Sequence, residues 1–478
     1  MTVEWIPMAW VSVVIVALLA SAQLLRMKTG IKLEYTRKLV HFGAGCLVCA
    51  FPFIFDSTGS VMVMSLAFLG IMVVSKIRNV LDAVHEEGRN SAGAYLYPVA
   101  VFLIYYWSDG YWLYFMVPIL LLTIPDAAAA LIGKEYGSIT YAVNRQYRSL
   151  EGSFMFFLIA FLCILIPVLL AEVVDNQTAI MVALLLALII TGIEAISVFG
   201  VDNLFVPLVG YLGLTRLLMV STDLLIGNLV ILLAVFLVLA ATNRWRHLTI
   251  SGMIGLTLML YAIYSWGGWD WFIQAAWYSL TFTLGVNLNR FRHLGTNVST
   301  RERTRGLFEI SAVFHFSAVP LFILLMNRLM PHPDMYSLFT AMIGLVTGMS
   351  YFQFSTHLLK RFKIGFIPRG WPTLAYRTGF AGAGSLFIYI LAASGDAGLI
   401  HSAWQHLGVT AVGTGLLSVL QRTLVRRYHC PNCGRTVVTP VHCKQDTAPV
   451  GGLPHFGMWQ GVLVSMLVMA GVLYVVSR

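Results

Sequence analysis

Charged residues are scarce in this chain: of 478 residues, 11% are Asp, Glu, Lys or Arg, while 58% are hydrophobic. Soluble domains carry about 25% charged and about 45–50% apolar residues. A soluble enzyme of this length could not hide so much apolar surface, and a coiled coil needs far more charge. Disorder requires the opposite composition. Cysteine is sparse too, with six residues, of which Cys46, Cys49 and Cys163 lie in apolar runs and Cys430, Cys433 and Cys443 in a polar loop. That pattern excludes a disulfide scaffold. Acidic residues are outnumbered, 21 against 31 basic, for a net charge of +10. In a soluble chain that excess would point to nucleic acid; here the positive-inside rule accounts for it. The start, Met1-Thr2-Val3-Glu4-Trp5, lacks the basic region of a cleavable signal. No inverted repeat and no low-complexity segment is visible. What remains is a polytopic all-α membrane protein.

A spanning helix takes about 20 apolar residues. Apolar runs fall near 5–25, 39–55, 60–75, 96–107, 113–133, 153–172, 179–198, 203–215, 222–241, 249–265, 270–286, 309–327, 336–356, 379–394, 402–421 and 457–476. They predict a helical bundle of about 14–16 transmembrane segments, with the short runs 96–107 and 203–215 tilted, broken or re-entrant. Alternate loops collect the basic residues, among them Arg26, Lys28, Lys76, Arg89, Lys134, Arg148, Arg244, Arg303 and Lys360, whereas the loops around Asp56, Asp109, Asp175 and Asp396 carry none. Arg216 and Arg328 are exceptions. The N-terminus is therefore expected outside and the basic loops in the cytoplasm. The charged stretch Asn243–Leu248 divides the chain into a first domain, 1–242, and a second, 249–478.

Ionisable residues inside membrane segments are costly and usually functional. Asp126 follows Pro125 in an apolar helix and lies seven residues before Gly133, hence about 10 Å from the expected cytoplasmic end. A structural carboxylate paired with an arginine on a neighbouring helix is the alternative reading. Gly133-Lys134-Glu135-Tyr136-Gly137 suits either plain helix capping or a loop approaching phosphate oxygens. In Arg148-Ser149-Leu150-Glu151-Gly152-Ser153, Ser149 could cap the next helix with Glu151 in its first turn; arginine, hydroxyl and free N–H groups also suit a phosphate chain. Glu194 and Asp202-Asn203 bracket a short break before Pro207, and such hard oxygen donors suit Mg²⁺. Arg37, Lys38 and His41 stand at the mouth of the second run, with Arg37 and His41 four apart on one face. A histidine there also reads as a satisfied interface residue.

Taken in order, Arg-Lys-x-x-His (37–41), Asp-Ala-x-Ala-x-x-Ile-Gly-x-x-x-Gly (126–137), Ser-Leu-Glu-Gly-Ser (149–153) and Glu-Ala-x-x-x-x-Gly-x-Asp-Asn-x-x-x-Pro (194–207) resemble the phytol kinase and dolichol kinase family over about residues 30–215, with Tyr97-Pro98 also in place. The resemblance implies transfer of a phosphoryl group, generally from CTP, to the hydroxyl of a membrane isoprenoid alcohol (phytol, farnesol, geranylgeraniol or a polyprenol) at the cytoplasmic face. It implies catalytic roles for Asp126, Asp202 and His41, with Mg²⁺ held by Asp126, Asp202 and Glu194. Nucleotide contacts are expected from Arg37, Lys38, Gly133, Lys134, Gly137, Arg148, Ser149, Glu151, Gly152, Ser153 and Asn203. Two departures from the family pattern are Pro125, where members commonly have glycine, and Arg148, where they commonly have lysine.

In the second half, Cys430-Pro431-Asn432-Cys433-Gly434 followed by His442-Cys443 reads as a structural zinc knuckle, with Cys430, Cys433, Cys443 and His442 as ligands and His429 or His455 as alternatives to His442. Arg305-Gly306, Leu416–Gln421 and the Cys430–Cys443 loop are similar to the phytyl-phosphate kinase family. That family has acids where this chain reads Gln353-Phe354-Ser355 and Leu417-Ser418-Val419, so a degenerate, non-catalytic partner domain is expected. The alternatives are a bifunctional kinase making the diphosphate, a CTP-dependent cytidylyltransferase acting on a lipid phosphate, and a lipid transporter. A transporter would place its charges at mid-membrane in repeated halves.

Overall fold

Proline and short polar breaks decide where the apolar runs become separate helices. A computed structural model of the chain describes residues 3–29, 33–78, 92–143, 146–246 and 248–277, with 279–280, 313, 321–328 and 339. Along it run α1 (Trp5–Thr29), α2 (Leu33–Cys49), α3 (Phe51–Ile54), α4 (Thr58–Arg78), α5 (Gly93–Ser108) and α6 (Trp112–Glu135). A hairpin follows, β1 (Thr140–Val143) and β2 (Gln146–Ser149), and then α7 (Leu150–Ala171), α8 (Asn176–Ile196), α9 (Asp202–Leu217), α10 (Thr222–Arg246) and α11 (Ile250–Gly267). The run predicted at 39–55 is interrupted at Ala50 because Pro52 supplies no N–H and its ring obstructs the turn before it. The short runs 96–107 and 203–215 become the 16-residue helices α5 and α9.

Seven helices among the described residues are long and apolar enough to cross a bilayer: α1, α4, α6, α7, α8, α10 and α11. The protein is thus a multi-pass membrane protein built as a helical bundle. It divides into two units, Met1–Leu237 with Thr249–Leu258, and Val238–Leu248 with Met259–Arg478. In the first unit α6 is the hub, packing against α2, α7 and α9, while α8 packs between α7 and α9. Val182, Leu185, Leu186 and Ile190 of α8 are wholly buried, whereas α1 turns Trp5, Trp10 and Val16 outward, as a lipid-facing helix must. In the second unit Trp271 and Phe339 meet with ring centroids 4.5 Å apart.

The two ends of the first unit differ. At one, the Glu4 carboxylate accepts from the N–H groups of Asp56 and Ser57, each at 3.2 Å, and from the Ser60 hydroxyl at 3.0 Å, tying α1 to the turn before α4. At the other, the start of α2, the end of α6, the hairpin, the start of α7, the end of α8 and the start of α9 converge. The turn between α8 and α9 holds Phe199 at φ 58° and Gly200 at φ 78°, and the Phe199 carbonyl accepts from Ala92 N–H at 2.7 Å, joining the start of α5 to the same end. A left-handed phenylalanine is strained, and such outliers persist where surrounding contacts hold them.

Small residues let α6, α7 and the hairpin meet. A Cβ on Gly152 would lie 3.0 Å from the Ala129 carbonyl and 3.2 Å from Gly133 Cα, while one on Gly133 would lie 2.8 Å from Ser149 Oγ. Ser149 caps α7, its hydroxyl accepting from Gly152 N–H at 3.1 Å. Gly152→Ala is therefore expected to lower the melting temperature of the detergent-purified protein, because backbone cannot give way as a side chain can. Gly70→Ala, in α4 with nothing within 4 Å of an added Cβ, is expected to leave it unchanged or raise it, alanine being favoured over glycine in a helix by about 0.5–1 kcal/mol.

Candidate functional site

Three carboxylates meet at the convergent end: Asp126 on α6, Glu194 in the last turn of α8 and Asp202 at the start of α9 each bring an oxygen within 4.8 Å of the others. Helix geometry explains the grouping. Asp126 stands two to three turns before the end of α6, and Glu194 and Asp202 flank the break between two antiparallel neighbours, so the three reach one level of the bundle. Hard oxygen donors at this spacing can hold a divalent cation.

Each flank of the cluster carries a basic group. Lys38 Nζ on α2 lies 2.6 Å from Asp126 Oδ2, with side chains only 14% and 15% exposed. His41, one turn on, places Nε2 3.5 Å from the same oxygen and 3.1 Å from the Leu122 carbonyl, while its ring meets Tyr97 edge-on at 5.7 Å. Arg148, on β2, pairs with Glu194 through Nη1 and donates through Nη2 to the Ser197 carbonyl at 2.9 Å. Burial works against the Arg148 charge, but the carboxylates of Glu194 and Asp202 outweigh it and hold its pKa above the ordinary arginine value. Asp202 makes no ion pair with any described residue.

The hairpin positions Arg148. Register pairs Tyr141 with Arg148, so both project from one face. Tyr141 touches the Ser153 hydroxyl at 3.0 Å and donates to the Ala195 carbonyl at 3.4 Å, which lays that face against the end of α8. Its phenol pKa is raised, chiefly by burial. α2 is positioned by a different contact: a Cβ on Gly45 would overlap the Thr123 side chain, 2.8 Å from its Cβ. Only glycine lets α2 approach α6 closely enough for Lys38, seven residues back on the same face, to reach Asp126.

The remaining residues expected at the site are placed as follows. Ser149, Gly133, Gly137 and Gly152 form the close junction of α6, α7 and the hairpin, and Ser153 Oγ bonds the Ser149 carbonyl at 3.1 Å. Glu151 accepts from the N–H groups of Ser138 at 2.9 Å and Ile139 at 3.1 Å and from the Ser138 hydroxyl, closing the loop before β1. Lys134 Nζ sits 5.1 Å above the Tyr35 ring, and Tyr35 donates to Glu135 at 2.7 Å, bridging α2 and α6. Asn203 lies in the first turn of α9, where its N–H donates to Gly200 at 3.3 Å. Arg37 precedes Lys38 on α2. Cys430, Cys433, His442 and Cys443 lie outside the described residues. The sequence reading did not identify the hairpin, Tyr141, Gly45 or Thr123. The hairpin's signal is two short stretches of β-prone residues flanking Asn144-Arg145.

Over 208 residues the chain is 29% identical to a phytol kinase of Synechocystis sp. (strain ATCC 27184 / PCC 6803 / Kazusa), a match covering 43% of this chain and 88% of that protein. No family profile matches the chain, and no solved structure does.

Removing one partner of a buried ion pair strands the other, at a cost of about 3–5 kcal/mol, whereas replacing both is often nearly neutral. Arg148→Met is expected to lower the melting temperature sharply, and Glu194→Gln added to it to recover much of the loss. A double-mutant cycle by thermal denaturation in detergent reads this directly.

Proposed function

We propose that the first half of the chain is an isoprenoid-alcohol kinase, transferring a phosphoryl group from CTP to the hydroxyl of phytol, farnesol, geranylgeraniol or a polyprenol. The observation that carries the reading is the meeting of residues from four separated segments (Lys38 and His41, Asp126, Arg148, and Glu194 with Asp202) at one end of a membrane bundle. The similarity to a phytol kinase supports the same reading. By the charge pattern of the loops, that end faces the cytoplasm, where a nucleotide is available.

A divalent cation, Mg²⁺ in this proposal, would be held by Asp126, Glu194 and Asp202 and would supply electrostatic stabilisation of charge on the transferring phosphoryl group. The chain's own residues do the rest. Lys38 and Arg148 provide positive charge beside the carboxylates, and Arg148 is fixed in orientation by the Ser197 carbonyl. The close packing of α6, α7 and the hairpin holds Ser149 buried beside Arg148. His41 lies beside Asp126, and its imidazole can take the proton leaving the alcohol hydroxyl. The apolar flank of the bundle, in contact with lipid, lets an isoprenoid tail stay in the hydrocarbon while its hydroxyl reaches the cluster.

The test is incubation of the detergent-purified chain with Mg²⁺, geranylgeraniol and CTP labelled at the γ or the α phosphate. Label from the γ position in a lipid monophosphate is the expected result. Label from the α position in lipid would instead establish a cytidylyltransferase, and a diphosphate product would make the second half catalytic. Asp202→Asn is expected to cut turnover about 100-fold or more with little change in melting temperature, since no ion pair is lost. EDTA should abolish turnover.

The second half is proposed as a non-catalytic partner domain with a zinc knuckle formed by Cys430, Cys433, Cys443 and His442. Purified protein should then contain about one zinc per chain by elemental analysis, and Cys430→Ser should lower the zinc content and the melting temperature. Full retention of zinc in that variant would exclude the assignment.

A further inference from the structure

We propose that Lys38 and Arg148 are resident counter-cations of the carboxylate cluster, so that a divalent cation and a polyphosphate each bind weakly alone and tightly together. The inference rests on the kinase reading and deepens it, because it assigns the two basic residues a role in how the ligands assemble.

The cluster is not an open acidic site. Two of its three carboxylates already have partners: Asp126 holds Lys38 at 2.6 Å, and Glu194 holds Arg148. The third, Asp202, is the exception. Its carboxylate oxygen lies within 4.8 Å of the other two and takes no hydrogen bond or ion pair from another described residue. An unpaired, half-buried carboxylate grouped with two paired ones marks the position a cation would complete.

Charge arithmetic then sets the coupling. Three carboxylates against Lys38 and Arg148 leave one negative charge. A divalent cation arriving alone reverses the sign and meets two positive groups contesting the same oxygens. A polyphosphate arriving alone meets the same basic groups, but with three carboxylates behind them. When both arrive, the carboxylates pass to the cation and the two basic side chains to phosphate oxygens, so each ligand removes the other's competitor. The chemistry of the side chains permits the exchange. Lysine is a flexible point charge that can swing, and arginine presents donors on two nitrogens, one of which can remain on the Ser197 carbonyl. Two ligands that each relieve the other's cost are coupled, and the coupling is reciprocal.

The experiment uses the full chain in detergent. Binding of labelled CTP is measured by equilibrium dialysis with EDTA and with Mg²⁺, and binding of Mn²⁺ alone by the loss of its free electron paramagnetic resonance signal. CTP affinity is expected to rise about tenfold or more with Mg²⁺, within the usual range of about 5–150-fold for coupled sites. The distinguishing result is in Lys38→Gln. This variant is expected to bind Mn²⁺ alone more tightly than the wild type, having lost a competitor, while its gain in CTP affinity with Mg²⁺ shrinks toward onefold. A lysine that only stabilised the fold would move both in the same direction. Weaker Mn²⁺ binding by Lys38→Gln, or equal CTP affinity with and without Mg²⁺ in the wild type, overturns the proposal and leaves the kinase reading standing. The wild-type comparison needs no variant to fold. Failure of CTP to bind under either condition overturns the kinase reading, and the polyphosphate half of this proposal with it.

Discussion

Carboxylates drawn together within a helical bundle repel one another unless positive charge stands beside them, and the first unit of this protein is arranged around that requirement. Asp126, Glu194 and Asp202 sit inside the bundle rather than on a loop. Carboxylates there are costly, and neighbouring elements bring cations to two of them. α2 delivers Lys38, and the hairpin delivers Arg148. Both deliveries depend on close backbone packing: α2 needs Gly45 against Thr123, and the hairpin needs the glycines around Ser149.

That dependence explains the asymmetry of the bundle. The end carrying Glu4, Asp56 and Ser60 is closed by hydrogen bonds that hold α1 to the turn before α4, and the Tyr105 hydroxyl of α5 donates to the Phe55 carbonyl in the same region. The opposite end joins elements far apart in sequence and stores strain at Phe199, in the turn between two of the carboxylates. A glycine-lined junction, a left-handed phenylalanine and paired charges inside the bundle each cost stability. They occur together where chemistry is proposed, as expected when a site departs from the rules that govern the rest of the structure.

The similarity to a phytol kinase falls on fewer than half of the residues of this chain. The carboxylate cluster and both ion pairs belong to the first unit. The role proposed for residues 249–478, a partner domain, rests on the absence of acids at Gln353–Ser355 and Leu417–Val419.

The sequence by itself determined the class of protein and most of its helices. Composition and runs of apolar residues follow from the solvent, and a bilayer dictates both with little help from tertiary contacts. Thus the runs at 113–133, 153–172 and 179–198 are found as α6, α7 and α8 within a few residues. Asp126, Glu194 and Asp202 were legible as candidates because an acid in such a run stands out. Their partners were not. Arginine pairing was only the alternative reading of Asp126, and in the structure Lys38 holds Asp126 while Arg148 holds Glu194, since partner choice depends on which helix faces lie opposite and at what height. The hairpin was also missed, being too short for its alternation to rise above the surrounding apolar signal. Gly45 looked like any other helical glycine, because only the packed neighbour, Thr123, makes its missing side chain matter. Solvent selects the elements one at a time, but pairing and close approach are properties of two elements at once, and those only the tertiary structure decides.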